Sequence, residues 1–239
     1  MTVALSASAV SVVMAVRDGE RYLDEALRSL LDQTSPPGEI VVVDDGSTDG
    51  TPAILASFGP SLSVHTRPPE GLAPALNLGV DRARRPLLTF LDADDVLTPT
   101  SIERRVAHLA DRPDLDAVFG HVQQFVSPDL APADAARYRF DAAPTPGRLL
   151  STMLVHRPAF DRIGPFDLAH TRAPGPDWLA RSITGGLRSA DVDDVVIRRR
   201  LHTTNMSRAE ARSGNRHLLG VVRAHRRRRA EQAAGEEQA

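Results

Sequence analysis

Residues 87–95 read L-L-T-F-L-D-A-D-D, an apolar run from Leu87 to Leu91 that passes without a spacer into Asp92, Asp94 and Asp95. A short continuous apolar run is the pattern of a strand covered on both faces, as in a parallel sheet. Two more such runs lie upstream. Val10 to Val16 (V-S-V-V-M-A-V) is broken by Arg17-Asp18-Gly19, and Ile40 to Val43 stops at Asp44-Asp45-Gly46-Ser47. Between the runs the spacing becomes helical: Tyr22, Leu23, Ala26, Leu27, Leu30 and Leu31 share one stripe up to Gln33. Helices are also expected over Thr51–Phe58, with Pro52 tolerated in the first turn, over Leu72–Ala83 and over Ser101–Asp111; Leu62–Thr66 is a further strand. Strand and helix alternate four times, which predicts an α/β chain with a mostly parallel sheet flanked by helices. Ligands bind such sheets outside the carboxyl ends of the strands, where both acid clusters fall.

The second half alternates less cleanly. Leu115–Phe125 reads as one long strand, residues 127–146 as a Pro/Ala/Asp-rich loop, Ser151–His156 as strand and Pro158–Ile163 as a short helix stopped at Gly164-Pro165. Trp178–Ile183 reads as helix, Val192–Arg200 as strand, and the chain from Asn215 onward as helix carrying Arg223 and Arg226 to Arg229. With no repeat and no linker, residues 1–239 are expected to form a single domain. Its parts are a half at about 9–112, a second half at about 113–207, and a C-terminal helix and tail at 208–239.

Composition narrows the chemistry. The 239 residues contain no cysteine, and all 29 cationic side chains are arginine. Schiff-base and P-loop lysines, cysteine nucleophiles, disulfides and thiolate metal sites are therefore excluded. A formal net charge of −2 argues against a dedicated nucleic-acid binder. No run approaches the roughly 20 apolar residues of a membrane-spanning helix. Met1 to Val16 lacks the basic start of a signal peptide, so a cytoplasmic protein is the expectation. Arg226 to Arg229 reads as a solvated helix face, with a weak membrane-surface contact as the alternative.

Asp92-Ala93-Asp94 places two hard carboxylates on a turn after a strand, which suits a divalent cation that also holds phosphate oxygens. A helix N-cap needs only one acid, whereas three in four positions repel one another unless a cation pairs with them. Asp44-Asp45-Gly46-Ser47-Thr48-Asp49 supports either an Asx-turn with a cap for the next helix, or an acid that accepts a hydrogen bond from a base or ribose. A phosphorelay receiver and a sugar-1-phosphate nucleotidylyltransferase share this acid-edged architecture, but both need a lysine.

Residues 10–23 (V-S-V-V-M-A-V-R-D-G-E-R-Y-L), 39–51 (E-I-V-V-V-D-D-G-S-T-D-G-T) and 87–95 together resemble the family 2 glycosyltransferases of GT-A fold. Residues 147–167 (G-R-L-L-S-T-M-L-V-H-R-P-A-F-D-R-I-G-P-F-D), 176–181 (P-D-W-L-A-R) and 198–207 (R-R-R-L-H-T-T-N-M-S) are similar to the acceptor half of that family. The resemblance implies a Rossmann-like single domain with a nucleotide-sugar half followed by an acceptor-side half. It also implies inverting, metal-dependent transfer of a sugar from a UDP- or dTDP-linked donor to an acceptor nucleophile, such as an envelope glycan, a natural product or a peptide. Ala15 and Val16 match the strand end that lines the base, and Asp45 the acid that meets it. Asp92 and Asp94 match the Asp-x-Asp pair holding ribose and Mn²⁺ or Mg²⁺; His202 matches a late histidine on the metal or diphosphate. Arg17, Ala93 and Arg200 complete the implied donor site, and Asp177 matches the catalytic base.

Simpler roles exist for these residues: Asp177 as N-cap of the helix at Trp178, His202 as a satisfied surface histidine, Trp178 as core. The chain departs from the family where Arg17-Asp18 replaces Tyr-Asn and Ala75-Leu76-Asn77 replaces Ala-Arg-Asn. Ala173-Pro174-Gly175-Pro176 also precedes Asp177 without the usual glutamate. A nucleotide-sugar-binding protein that has lost turnover is the alternative function.

Overall fold

The structure is a computed structural model that describes residues 5–205, except 139, 141 and 171–173. At its centre is β1 (Val10–Val16), paired in parallel with β2 (Glu39–Asp44) on one side and β4 (Leu87–Phe90) on the other. β3 (Ser63–Thr66) extends this parallel half beyond β2. Helices α1 (Leu23–Leu31), α2 (Thr51–Ser57) and α3 (Leu72–Arg82) make the crossovers. Because successive strand residues face opposite ways, Val12, Met14 and Val16 enter a core with Leu23, Leu27 and Leu30 of α1. Val13 enters the other core, with Ala73, Leu76 and Val80 of α3. At Gly79 a Cβ would lie 2.5 Å from Val13 Cγ1, so α3 rests directly on β1.

The chain continues through β5 (Val96–Leu97), α4 (Ser101–Ala110), β6 (Ala117–Val126), α5 (Pro132–Ala135), β7 (Thr145–Pro146), β8 (Met153–His156), α6 (Arg157–Ile163), α7 (Pro174–Thr184) and β9 (Ser189–Leu201). The sheet order is β3-β2-β1-β4-β8-β6-β9-β5, with β7 on β6. Past β4 the sheet changes character: β8 is antiparallel to both β4 and β6, and β9 runs parallel to β6 with two register shifts. Arg105 of α4 is fully buried where the parallel half meets β8. Its guanidinium donates to Ser101 O and Oγ, Thr89 Oγ1 and Met153 O. Burial pulls its pKa down to about 9.

The expected α/β architecture is present, with local differences. Residues 127–146 are not wholly loop, because α5 and β7 lie within them. Helix α7 begins at Pro174, four residues before the expected start, since proline is accepted in a first turn where no N–H partner is needed. Asp177 is therefore the fourth residue of the helix and not its N-cap. Trp178 is core, wholly buried and stacked on Phe160 at 4.9 Å between ring centroids. The expected helix from Asn215, the Arg226–Arg229 run and the tail lie outside the described residues.

Candidate functional site

The carboxyl ends of β1, β2 and β4 meet at one edge of the sheet. The chain leaves β1 for β2 on one side and reaches β4 on the other, so a crevice opens at this switch point. Ala15, Val16 and Arg17 close β1 there, with Ala15 half-buried, Val16 buried and Arg17 exposed. The loops after β1 and β2 are laced together. Asp18, at φ +50, accepts the Thr48 N–H at 2.8 Å, and its own N–H reaches Ser47 Oγ at 2.9 Å. Gly19 N–H donates to Thr51 Oγ1, Glu20 N–H to Asp49, and Gly50 N–H to Glu20. Asp49 accepts the Thr51 N–H two residues on, so the Asx-turn reading holds for Asp49, while Asp44 accepts the Ser47 N–H three residues on.

Asp45 stands apart from these turn acids. It is buried, its two oxygens accept the N–H groups of Glu70 (3.0 Å) and Gly71 (2.8 Å), and Arg67 lies 3.4 Å away. Gly71, at φ +104, lets the loop turn both N–H groups onto one carboxylate before α3 starts. Asp45 thus fixes the wall of the crevice from β2, beside Val16, whose carbonyl accepts the Asp45 N–H.

After β4, donor atoms of Asp92, Asp94 and Asp95 lie within 4.8 Å of one another. Asp92 reaches the open crevice, Ala93 and Asp94 are half-buried, and Asp95 is buried and accepts the Arg200 N–H at 2.8 Å. Although the Asp92 side chain is exposed at the crevice, the protein packed around it, and then the Asp94 charge, raise its carboxyl to about 6. Desolvation and both neighbouring acids push Asp95 well above the usual carboxylate range. Hard oxygen donors held in mutual repulsion fit a Mn²⁺ or Mg²⁺ ion. His202 is buried, not a surface histidine: Nε2 lies 2.8 Å from Asp94 Oδ2, Nδ1 lies 2.9 Å from Thr204 Oγ1, and the Tyr22 ring packs at 4.7 Å.

The raised acids set a pH dependence. A carboxyl with a raised folded-state pKa supports the fold below the usual carboxylate range and loses that support as pH rises through about 6. His65 and His156, pulled down by burial, act the other way. The measurement is therefore a difference: in chelator, the melting temperature of the parent should fall relative to that of Asp92→Asn between pH 5 and 7, and Mn²⁺ should abolish the difference at pH 7. Parallel curves in chelator would contradict the assignment.

Arg200 is brought to the cluster but lies beneath it. Its guanidinium is 2% exposed, held between the Tyr22 and Phe125 rings at 4.6 and 4.7 Å, and donates to Glu25, to the Asp94 carbonyl and to Ser127. It shapes the Asp94 turn from below. The preceding Arg199 is half-buried, and its charge lowers the pKa of both Asp92 and Asp95. Strand alternation points neighbouring residues to opposite faces. Glu25, Tyr22, Asn205 and Arg199 belong to this neighbourhood, and sequence reasoning missed all four; the run of three arginines was the one available signal.

A second group forms around Asp177. This carboxylate has no exposed surface; Oδ2 accepts Arg181 Nε at 2.9 Å, and Oδ1 lies 3.9 Å from His170 Nε2. Arg181 is held in turn by the carbonyls of Ile163 and Pro165. Asp167 completes a set of three with His170 and Asp177, their donor atoms within 4.8 Å.

Similarity to known proteins was found at three levels. The 32% identical glycosyltransferase of Rickettsia typhi, itself uncharacterized, aligns over 130 residues, 50% of this chain and 41% of that protein. Glycosyltransferase GlyG of Streptococcus pneumoniae is 31% identical over 124 residues, with the same coverage. The chain thus spans less than half the length of these curated relatives. In structure it is similar to S. aureus TarS 1–349 in complex with UDP-GlcNAc (TM-score 0.64, 18% identity, 83% of this chain and 60% of that one). It is also similar to mannosyltransferase PcManGT from Pyrobaculum calidifontis in complex with GDP-Man and Mn²⁺ (TM-score 0.64, 22% identity, 93% and 67%). These likenesses establish the fold. The description "Glycosyl transferase family 2" matches residues 11–164, more than half of the sequence, and the chain belongs to that family.

Proposed function

We propose that this chain transfers a glycosyl residue, with inversion and with the help of a divalent cation, from a nucleoside-diphosphate sugar to an acceptor nucleophile. The observation that carries this reading is the Asp92/Asp94/Asp95 cluster at the sheet's switch point, with His202 on Asp94 and Asp45 on the adjoining wall. Asp45 and the end of β1 would receive the base, and Asp92 the ribose. Asp92, Asp94 and His202 would hold Mn²⁺ or Mg²⁺, which when bound neutralises charge on the departing diphosphate. With no lysine anywhere, Arg199 is the protein cation best placed to assist. Asp177 supplies basicity: as the acceptor oxygen bonds to the anomeric carbon and the carbon–phosphate oxygen bond breaks, the acceptor's proton is withdrawn on the far side. A single displacement needs one such base and no covalent sugar intermediate, which is why inversion is the expected outcome.

A thermal-shift screen of UDP-, dTDP- and GDP-sugars, with Mn²⁺ or with chelator, tests the reading. A donor at about 100 times its Kd should add roughly 2.7 kcal/mol of stability, and chelator should remove most of the gain. No shift with any nucleotide would overturn the donor site. A protein that binds donor without turnover is the second reading, favoured by the complete burial of Asp177. Release of nucleoside diphosphate decides between the two.

A further inference from the structure

The turn after β4 sets like charges side by side, so each carboxylate must be held in place against its neighbours. For Asp94 the hold comes from the four residues that follow β9. His202-Thr203-Thr204-Asn205 forms a tight turn, with the Asn205 N–H on the His202 carbonyl at 3.4 Å. The buried Asn205 side chain braces this turn from within. Its carbonyl accepts the His202 N–H at 2.6 Å, and its amide donates to the Arg200 carbonyl at 3.1 Å. The same amide reaches Asp94 Oδ2 at 3.3 Å, the oxygen that also faces His202 Nε2. Each polar atom of the Asn205 side chain is thus spent on Asp94 or on the backbone on either side of Leu201.

The second contact is at the far side of the ring. Thr204 is exposed, yet its hydroxyl lies 2.9 Å from His202 Nδ1. A ring nitrogen that gives its lone pair to a cation leaves the proton on the other nitrogen, and that N–H needs an acceptor. With Nε2 turned toward Asp94, the acceptor has to stand at Nδ1, and a hydroxyl oxygen can serve there. The Tyr22 ring closes one flank of the imidazole at 4.7 Å.

We propose that Thr204 and Asn205 are positioning residues of the cation site. Thr204 selects the ring tautomer whose Nε2 lone pair is free to ligate, and Asn205 fixes that nitrogen relative to Asp94 Oδ2. Neither is itself a ligand. This deepens the metal-dependent transferase reading and rests on it.

The test is Mn²⁺ affinity, read from the loss of the free-ion EPR signal as the full chain is added in the presence of UDP or GDP. Removing the hydrogen-bond partner of a ligand typically weakens metal binding by about 10–100-fold, and Thr204→Val and Asn205→Ala should each do so. Thr204→Ser keeps the hydroxyl and should bind as the parent does, a rescue that a merely structural role would not predict. Because Thr204 is exposed, Thr204→Val should melt with the parent in chelator, so weaker binding is not a sign of unfolding. Thr204→Val within a few-fold of parental affinity would overturn Thr204, as would a Thr204→Ser as weak as the valine variant. Parental affinity in Asn205→Ala would overturn Asn205. Either result leaves the cation site standing, whereas no Mn²⁺ uptake by the parent with either nucleotide would overturn the site as well.

Discussion

Asp177→Asn is expected to lower turnover by about 10²–10⁴-fold, the usual worth of a general base. The same change will also cost stability, a consequence of burial that is invisible in the sequence. The carboxylate is wholly enclosed and paired at 2.9 Å with an arginine that is itself only 16% exposed. Removing one partner of a buried pair costs about 3–5 kcal/mol. The asparagine oxygen still accepts a bond, and Arg181 keeps the Ile163 and Pro165 carbonyls, so the lower end applies. At roughly 2–4 °C per kcal/mol for a chain of this size, the melting temperature should drop by about 6–12 °C. Turnover is to be compared well below the lower melt. Near-parental turnover in a folded variant would remove Asp177 from the chemistry.

Trp178→Ala should have the largest effect on the fold itself. The indole is fully buried, stacked on Phe160, and its Nε1–H donates to the Gly164 carbonyl at 2.9 Å. Phe160 and Phe166 pack in turn on Phe90 of β4, so this ring anchors α7 to the central sheet. Truncating a buried tryptophan costs about 3–5 kcal/mol, and the vacated space adjoins the helix turn that carries Asp177. Denaturant unfolding measures the loss. Trp178→Phe keeps most of the ring stack and forfeits chiefly the Gly164 bond, about 1 kcal/mol. A loss below 1 kcal/mol for the alanine variant would contradict the packing role.

The parts of the molecule legible in the sequence are those where one physical signal dominates. β1, β2 and β4 are buried on both faces and therefore mostly apolar, with Ser11, Thr89 and the two ends of β2 as the polar exceptions, and each ends in a turn whose acids could be named. β9 was only half legible. It was expected from Val192 but starts at Ser189, because Ser189, Ala190 and Asp191 carry no strand signal. The two register shifts between β6 and β9 make the phase of its last residues unreadable from alternation alone. The family resemblance put Arg200 at the donor, whereas it lies below the aspartate turn and its neighbour Arg199 acts on Asp92 and Asp95. β5 is two residues long, too short for any periodicity. Pro174 and Pro176 resemble helix breakers yet begin α7, so the depth of Asp177 and its relation to His170 emerge only in three dimensions.

Arg105 has a consequence for how the molecule can move. The parallel and antiparallel halves of the sheet share one narrow seam, where Leu87, Leu88 and Thr89 pair with His156, Val155 and Leu154. The guanidinium spans that seam, reaching Thr89 on one strand and the Met153 carbonyl at the start of the other. Prying the seam apart would strip a buried cation of its acceptors, which is far costlier than bending a surface loop. The two halves are thus riveted into one stiff frame. That frame keeps the aspartate turn and α7 at a constant separation.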